Sequence, residues 1–509
     1  MVVKIKAVDL WGIDGTPVEV EVDIRAGMNH FNVVGLADAA VKEARDRLRA
    51  GLANAGCDLP YDAITVNLAP ADCKKSSAGL DLPMAVGLWA KVMNIPDEAT
   101  RRFHFFGELA LDGGLRPVRG ALALAAAVRA AGGTRLIVPL GNGPEAALIE
   151  GLAVFGAKHL REVAAALKGG PALPRMSPPP LLPPEGVSGE SGAPDFADVR
   201  GQALAKRALE VAAAGGHNLL LVGPPGAGKS MLARRLPSIL PALTAEEALL
   251  VTRIHSVAGE LPAGATTLIR HPPFRAPHHT VSQVGLIGGG SWPQPGEISL
   301  AHGGVLFLDE APEFGRRTLE VLRQPLEEGQ VRIARARRRV EFPARVMLVL
   351  AANPCPCGHA GSPGGRCACS PMMIQRYLGR LSGPLLDRID LLVEVPRLPY
   401  EELQRPAGES SAQIRARVES CRKRQRERYG GSQANATLEG RALREHCRLD
   451  GAGEKLLRRA VESLGLSARG HDRVLKVART IADLDGATAI APHHLAEAIQ
   501  YRRLERGLG

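Results

Sequence analysis

The chain has 509 residues, 45% hydrophobic and 4% aromatic, with 64 lysines and arginines against 53 aspartates and glutamates. Such a length exceeds a single core and implies about two to four domains. The scarcity of aromatics argues against base stacking as the main binding device. No apolar run reaches the roughly 18 residues of a membrane span.

The beginning, MVVKIKAVDLWGIDG, lacks the apolar segment of a signal peptide, so a cytoplasmic location without a membrane partner is expected. The net charge of +11 is uneven: residues 1–194 carry 20 basic and 21 acidic side chains, residues 195–400 carry 23 and 17, and residues 401–509 carry 21 and 15. The excess in the later part implies a polyanionic partner there.

In residues 1–168, strand-like pieces (VEVEVDI, AITVNLAP, TRLIVPL) alternate with helical ones (ADAAVKEARDRLRAGLANAG, ALALAAAVRAAGG), which reads as a mixed α/β domain. Residues 169–194 are rich in Pro, Gly and Ser and read as a semi-rigid linker. Residues 195–400 repeat a strand–turn–helix order that implies a parallel sheet, and residues 401–509 read as almost entirely helical.

NLLLVGPPGAGKS places an apolar strand before Gly223, Pro224, Pro225, Gly226, Ala227 and Gly228, with a helix beginning near Lys229 and Ser230. Glycines there let backbone N–H groups close around phosphates, Lys229 would reach the β/γ-phosphates, and the Ser230 hydroxyl would ligate Mg²⁺. The helix N-terminus adds a positive dipole end.

GVLFLDE then carries a buried strand to Asp309 and Glu310. Asp309 would hold Mg²⁺ through its water shell, and Glu310 would activate water. An acidic strand-end cap is the plainer alternative. VMLVLAANP ends a third strand at Asn353, whose amide could sense a γ-phosphate, although Asn before Pro also makes an ordinary turn.

VRIARARRRV holds five arginines in ten residues, too many for a core, and they could meet solvent, an acidic neighbour, a nucleotide or a polyanion. CPCGHAGSPGGRCAC gathers Cys355, Cys357, Cys367 and Cys369. Four thiolates suit a tetrahedral Zn²⁺, but C-x-C is not the usual C-x2-C spacing. His359 could replace one thiolate, and a reduced Gly-rich loop is the alternative.

AKRALEVAAAGGHNLLLVGPPGAGKSMLARRLP, IHSVAGE, PFRAPHHT, GGGSWPQPGEISLAHGGVLFLDE, LRQPLEEG, NPCPCG and RYLGRLSGPLLDRIDLLVEVP together resemble the ComM (YifB) family of magnesium-chelatase-like AAA+ ATPases. The resemblance covers essentially the whole chain. It implies a homo-hexameric ring with ATP bound between subunits. It makes Arg388 an arginine finger directed at a neighbour's γ-phosphate and Arg469 the second sensor on a helical lid.

The resemblance also implies a β-hairpin inserted before the first sensor strand. Its strands would run to about Ala336 and return after a turn at Arg337–Arg338. Arg335, Arg337, Arg338 and Arg339 would then line a central channel and grip DNA phosphates. A second insertion would add Arg270, Arg275, His278 and His279. The two histidines could mark a metal site, though ordinary hydrogen bonding is the simpler expectation.

The first domain resembles the Lon-protease-like (S5-like) fold, with Ser77 at the nucleophile position and no lysine in GALALAAA, where Leu122 and Leu124 stand. A serine without a base is no nucleophile, so a structural or DNA-facing collar is expected. The family implies DNA translocation, specifically branch migration in homologous recombination during natural transformation, with recombination proteins as further partners. A chelatase motor subunit and an ATP-dependent protease are the alternatives.

Overall fold

The structure, a computed structural model, describes residues 2–36, 39–71, 75, 78–177, 194–261, 267–290, 292–335, 338–361, 367–404, 406 and 408–504. For residues 39–42, 335 and 338 it describes the backbone alone.

The N-terminal region is built on a mixed eight-stranded sheet. Its strands are β1 (Val3–Trp11), β2 (Asp14–Arg25), β3 (His30–Val34), β4 (Ala63–Ala69), β5 (His104–Phe105), β6 (Arg135–Pro139), β7 (Ala153–Ala157) and β8 (Arg175–Met176). They lie in the order β8-β7-β6-β5-β1-β2-β4-β3. Val18, Val20 and Val22 of β2 are buried at period two, as one face of a half-buried strand requires. That face joins the core of α1 (Ala39–Asn54) and α2 (Asp81–Val92).

Leu122 and Leu124, on α3 (Ala121–Ala130), are buried with Val8 and Leu10. Ser77 lies outside the described residues. Strand β8 pairs antiparallel with β7, so the sheet extends past residue 168 into the Pro/Gly-rich stretch.

The next region holds α4 (Ala203–Gly215), β9 (Leu219–Val222), α5 (Lys229–Arg235), α6 (Ala245–Ala258), β10 (Phe274–Arg275), β11 (Val305–Leu308), β12 (Gln330–Arg335), β13 (Arg338–Pro343), β14 (Met347–Ala352), α7 (Pro371–Leu378) and β15 (Leu391–Glu394). Five of these strands form a wholly parallel sheet, β10-β11-β14-β9-β15. Strands β9, β11 and β14 are buried throughout, as a sheet covered on both faces demands. The expected parallel sheet is present.

The C-terminal region is helical, with α8 (Ser411–Tyr429), α9 (Gly451–Leu464), α10 (Ala468–Leu484) and α11 (Pro492–Gln500). Helix α8 is strongly polar, but Ile414, Val418, Cys421 and Gln425 make a buried stripe against the core. A capping box of Ser410 and Gln413 starts it, and Gly430 at φ 69° ends it.

The arginine-rich segment is an antiparallel hairpin, β12 with β13, in which Val331 faces Phe342 and Ile333 faces Val340. The expected turn at Arg337–Arg338 does not include both residues. Arg338 pairs with Arg335 in the ladder. The cross-strand apolar pairs set this register, because a one-residue slip would turn Val340 and Phe342 away from the core. Residues 336 and 337, including Arg337, lie outside the described residues. Arg332 is neutralised by Glu328 and Glu341, at 2.9 and 3.1 Å, while Arg339 is exposed.

The β1–β2 turn of the N-terminal region docks at the base of this hairpin. Ile13 joins the core of Val331, Val340 and Phe342. Trp11 meets Trp292 edge to face with centroids 5.3 Å apart. Gly12 sits at φ 63°, where any side chain would be strained and would strike Val340.

Candidate functional site

The P-loop lies between β9 and α5. Gly226 and Gly228 adopt φ of 78° and 95°, the left-handed conformations that turn the loop back on itself. A Cβ at Gly223 would strike the Val395 carbonyl oxygen of the neighbouring chain segment. Lys229, 8% exposed, donates to the carbonyls of Gly223 (2.6 Å) and Pro224 (3.1 Å) and to Oδ1 of Asn353 (3.0 Å). Burial pushes its ammonium below the usual lysine value, with Asp309 and Glu310 pulling the other way.

Ser230 Oγ donates to Asp309 Oδ2 at 2.6 Å, so the predicted magnesium pair is in direct contact. Glu310 is exposed and its backbone has φ 49°, unusual for a residue with a side chain. This conformation swings the carboxylate out of the strand line and into the cavity. Its own N–H donates to Asp309 Oδ1 at 3.0 Å.

The structure thus brings Lys229, Ser230, Asp309, Glu310 and Asn353 to one cavity of about 340 Å³, floored by residues 225–231. Loop N–H groups, a lysine, a hydroxyl–carboxylate pair and a free carboxylate fit a nucleotide phosphate with Mg²⁺.

Residues that local sequence patterns do not expose support this site. Gln202, with φ 53°, donates to the carbonyls of Ala227 (3.2 Å) and Pro396 (2.8 Å), bracing the P-loop from outside. Tyr377 on α7 packs by Asn353; burial, with Glu313 and Glu310, pushes its phenol up to about 12.

Arg388 and Arg469 are placed elsewhere. Arg388 donates to the Pro384 carbonyl and to Glu327 Oε1. Arg469 Nη2 lies 3.7 Å from that same Glu327 oxygen. Both arginines line a second cavity of about 1270 Å³ between the parallel-sheet region and the helical region. Among the described residues, that cavity shares no lining residue with the P-loop cavity.

Asp390, beside Arg388, ties the two regions together. It meets His217 Nδ1 at 3.3 Å and Arg473 Nε at 3.2 Å, and His217 Nε2 reaches Thr480 Oγ1 at 2.8 Å. Burial raises the Asp390 carboxyl, but His217, Arg473 and Lys476 outweigh it and leave the carboxyl below its ordinary value.

In the second insertion, Arg275 is held within its own chain. It is half-buried and bonded to Glu297 (2.7 Å) and Glu260 (2.9 Å). His278 Nδ1 bonds Thr280 Oγ1 at 2.9 Å, the ordinary hydrogen bonding expected.

The four cysteines do converge. Their sulfurs all lie within 4.8 Å of one another, and Cys355 is fully buried.

A strand–loop–helix with an invaginated lysine, a Ser–Asp pair, a projecting glutamate and a sensor asparagine on a parallel sheet defines a P-loop nucleoside triphosphatase. Residues 195–403 match the family described as magnesium chelatase, subunit ChlI; residues 408–502 match its C-terminal part, and residues 20–142 match a further model described as subunit ChlI of Mg-chelatase.

A protein of Salmonella typhimurium called YifB is 45% identical over 501 residues, 97% of this chain and 96% of the relative. Competence protein ComM of Haemophilus influenzae is 45% identical over 499 residues, with the same coverage. The magnesium-chelatase 38 kDa subunit of Rhodobacter capsulatus is 26% identical over 322 residues, 59% of this chain and 84% of the relative.

The chain belongs to the ComM/YifB family of magnesium-chelatase-like AAA+ ATPases. That membership implies ATPase activity with ATP and Mg²⁺. Among the described residues, no helix is long and apolar enough to cross a membrane.

Proposed function

We propose that this chain is a ring-forming, DNA-translocating ATPase that drives branch migration in homologous recombination of DNA acquired by natural transformation. The reading rests on one observation above all: Arg388 and Arg469 stand apart from the P-loop of their own chain. Arg388 and Arg469 would complete a neighbour's site, which requires a closed ring, taken as a hexamer.

Within each site Lys229 holds the phosphates, Glu310 takes a proton from the attacking water, and Asn353 orients that water. Bound Mg²⁺ supplies charge neutralisation at the phosphate oxygens. Gly226 and Gly228 keep the cradle open, and Ser230 with Asp309 presents oxygen ligands.

The exposed hairpin arginine Arg339 supports DNA as the cargo, as does the competence role in the name of the Haemophilus relative. In this reading the hairpin tip faces the channel, with recombination proteins as further partners in the cytoplasm. The units are residues 1–168 with strand β8 added to their sheet, the rest of 169–194 as linker, 195–400 and 401–509, and the first is a Lon-protease-like collar. Buried Leu122 and Leu124, where a catalytic lysine would be needed, support a collar without peptidase activity.

ATPase assays on the full chain, with and without forked DNA, test this. DNA stimulation and a ring seen by light scattering are expected. ATPase activity indifferent to DNA at every salt concentration would refute translocation.

A further inference from the structure

The sulfur of Cys355 lies 3.3 Å from Cys357 and 3.7 Å from Cys367, and Cys357 lies 3.7 Å from Cys367. None of these pairs is a disulfide, whose sulfurs are about 2.05 Å apart. A tetrahedral zinc with four thiolates at about 2.3 Å places its sulfurs about 3.8 Å apart. The sulfurs of Cys355, Cys357 and Cys367 therefore already stand close to that edge length, and the Cys369 sulfur lies within 4.8 Å of each. A multi-iron cluster would need them farther apart.

The loop is shaped for such an ion. Gly358 and Gly361 take φ of 81° and 71°, and the Gly358 N–H donates to the Cys355 carbonyl at 2.9 Å, closing a tight turn. The N–H of Ala360 points at the Cys355 sulfur, 3.3 Å away, as amides do around a metal-bound thiolate.

The position matters as much as the ligands. Cys355 follows Asn353 by two residues, at the end of β14. A Cβ added at Gly358 would fall 2.5 Å from Pro225 Cδ, so this turn lies flat against the P-loop. Asn353 in turn touches Lys229.

We propose that Cys355, Cys357, Cys367 and Cys369 bind one Zn²⁺, and that this ion fixes the loop that sets Asn353 and the P-loop in register. The second half rests on the ATP-site reading above; the first does not. The zinc is structural: four thiolates leave no open coordination position for a substrate.

The test uses the full-length chain purified without chelator, with metal counted by mass spectrometry. About one zinc per chain is expected. Exchange with Co²⁺ should give intense visible bands and sulfur-to-cobalt charge transfer, a readout on the unmodified protein. Cys369→Ser should lose most of the zinc, while Cys421→Ser, under the helical region, should keep it.

Turnover in Cys369→Ser should fall about tenfold, with a smaller change in KM for ATP. Glu310→Gln should lose turnover yet keep its zinc, so failure of the ATP-site reading would leave the metal count intact. Iron in place of zinc, disulfides by mass, or wild-type protein with neither zinc nor a thiolate–cobalt spectrum would overturn the site. Zinc loss in Cys369→Ser without any change in turnover would overturn the positioning role alone.

Discussion

Arg388 is held against the Glu327 carboxylate, and the oxygen that accepts from it also lies 3.7 Å from Arg469. One acidic side chain thus gathers two cations that the P-loop of the same chain does not meet. In the proposed ring, a neighbour's triphosphate would replace the counter-charge that Glu327 lends Arg388.

Arg388→Ala should therefore leave ATP affinity within about twofold while lowering turnover by about a thousandfold. Mixed with Lys229→Ala, it should regain activity, because a mixed ring contains interfaces with both a sound P-loop and a sound finger. Nucleotide binding and phosphate release on co-purified mixtures measure this. If mixed rings form and stay inactive at every ratio, the arginine does not act across subunits.

Lys229→Ala and Glu310→Gln should separate binding from chemistry. Lys229 has three acceptors around its buried ammonium, among them Asn353. Its loss removes a charge-assisted hydrogen bond to phosphate and should weaken ATP binding about ten- to a hundredfold. Glu310→Gln keeps the shape and loses the base, so ATP should bind normally and persist unhydrolysed. Fluorescent-nucleotide titration with single-turnover hydrolysis distinguishes the two, and comparable turnover in both variants would count against the assigned roles.

The P-loop and the Asp309–Glu310 strand end are legible in the sequence because both are local: an apolar strand, fixed glycines and adjacent functional groups. The hairpin is legible as a hairpin, but its turn is not. Arginines on both sides of the tip carry no period, and only the pairing of Ile333 with Val340 fixes the register. The ion pairs of Arg275 are not legible, because its partners, Glu260 and Glu297, are distant in sequence. Gln202 and Glu327 are silent for the same reason: each acts on a segment at least 25 residues away.

Acid should weaken the fold through His302. Burial, helped by Arg345, pushes this imidazole down to about 4, so it is neutral when folded and accepts from the Arg345 N–H at 3.1 Å. Unfolded histidine titrates near 6.5. Between those values the unfolded chain binds more protons, so stability falls as pH drops from about 6.5 towards 4. The loss from this residue at pH 5 is about 2 kcal/mol. His302→Gln keeps an acceptor and cannot titrate. Urea unfolding at pH 7.5 and 5.0 should show a drop about 2 kcal/mol smaller in the variant. Equal drops in both proteins would assign the acid sensitivity elsewhere.

The hairpin arginines give the sharpest test of the DNA reading. Val331, Val340 and Phe342 bury the base of the hairpin, and Arg332 is already satisfied by two glutamates. Arg339 is exposed, and Arg335 and Arg338 flank the tip in the ladder. Replacing Arg335, Arg337, Arg338 and Arg339 with Ala should thus spare the core, and basal ATP hydrolysis should survive because the P-loop cavity is lined by residues 225–231, Asp309, Glu310, Ala352 and Asn353. DNA stimulation should fall. Arginines on phosphates position the duplex without reading bases, so affinity should drop alike for all sequences. For every phosphate no longer neutralised, the log–log salt dependence should flatten by about one unit. Binding to forked and linear DNA across a salt series, with circular dichroism to verify folding, measures both quantities. A folded, ring-forming variant with unchanged affinity and unchanged salt slope would mean that these arginines face something other than DNA.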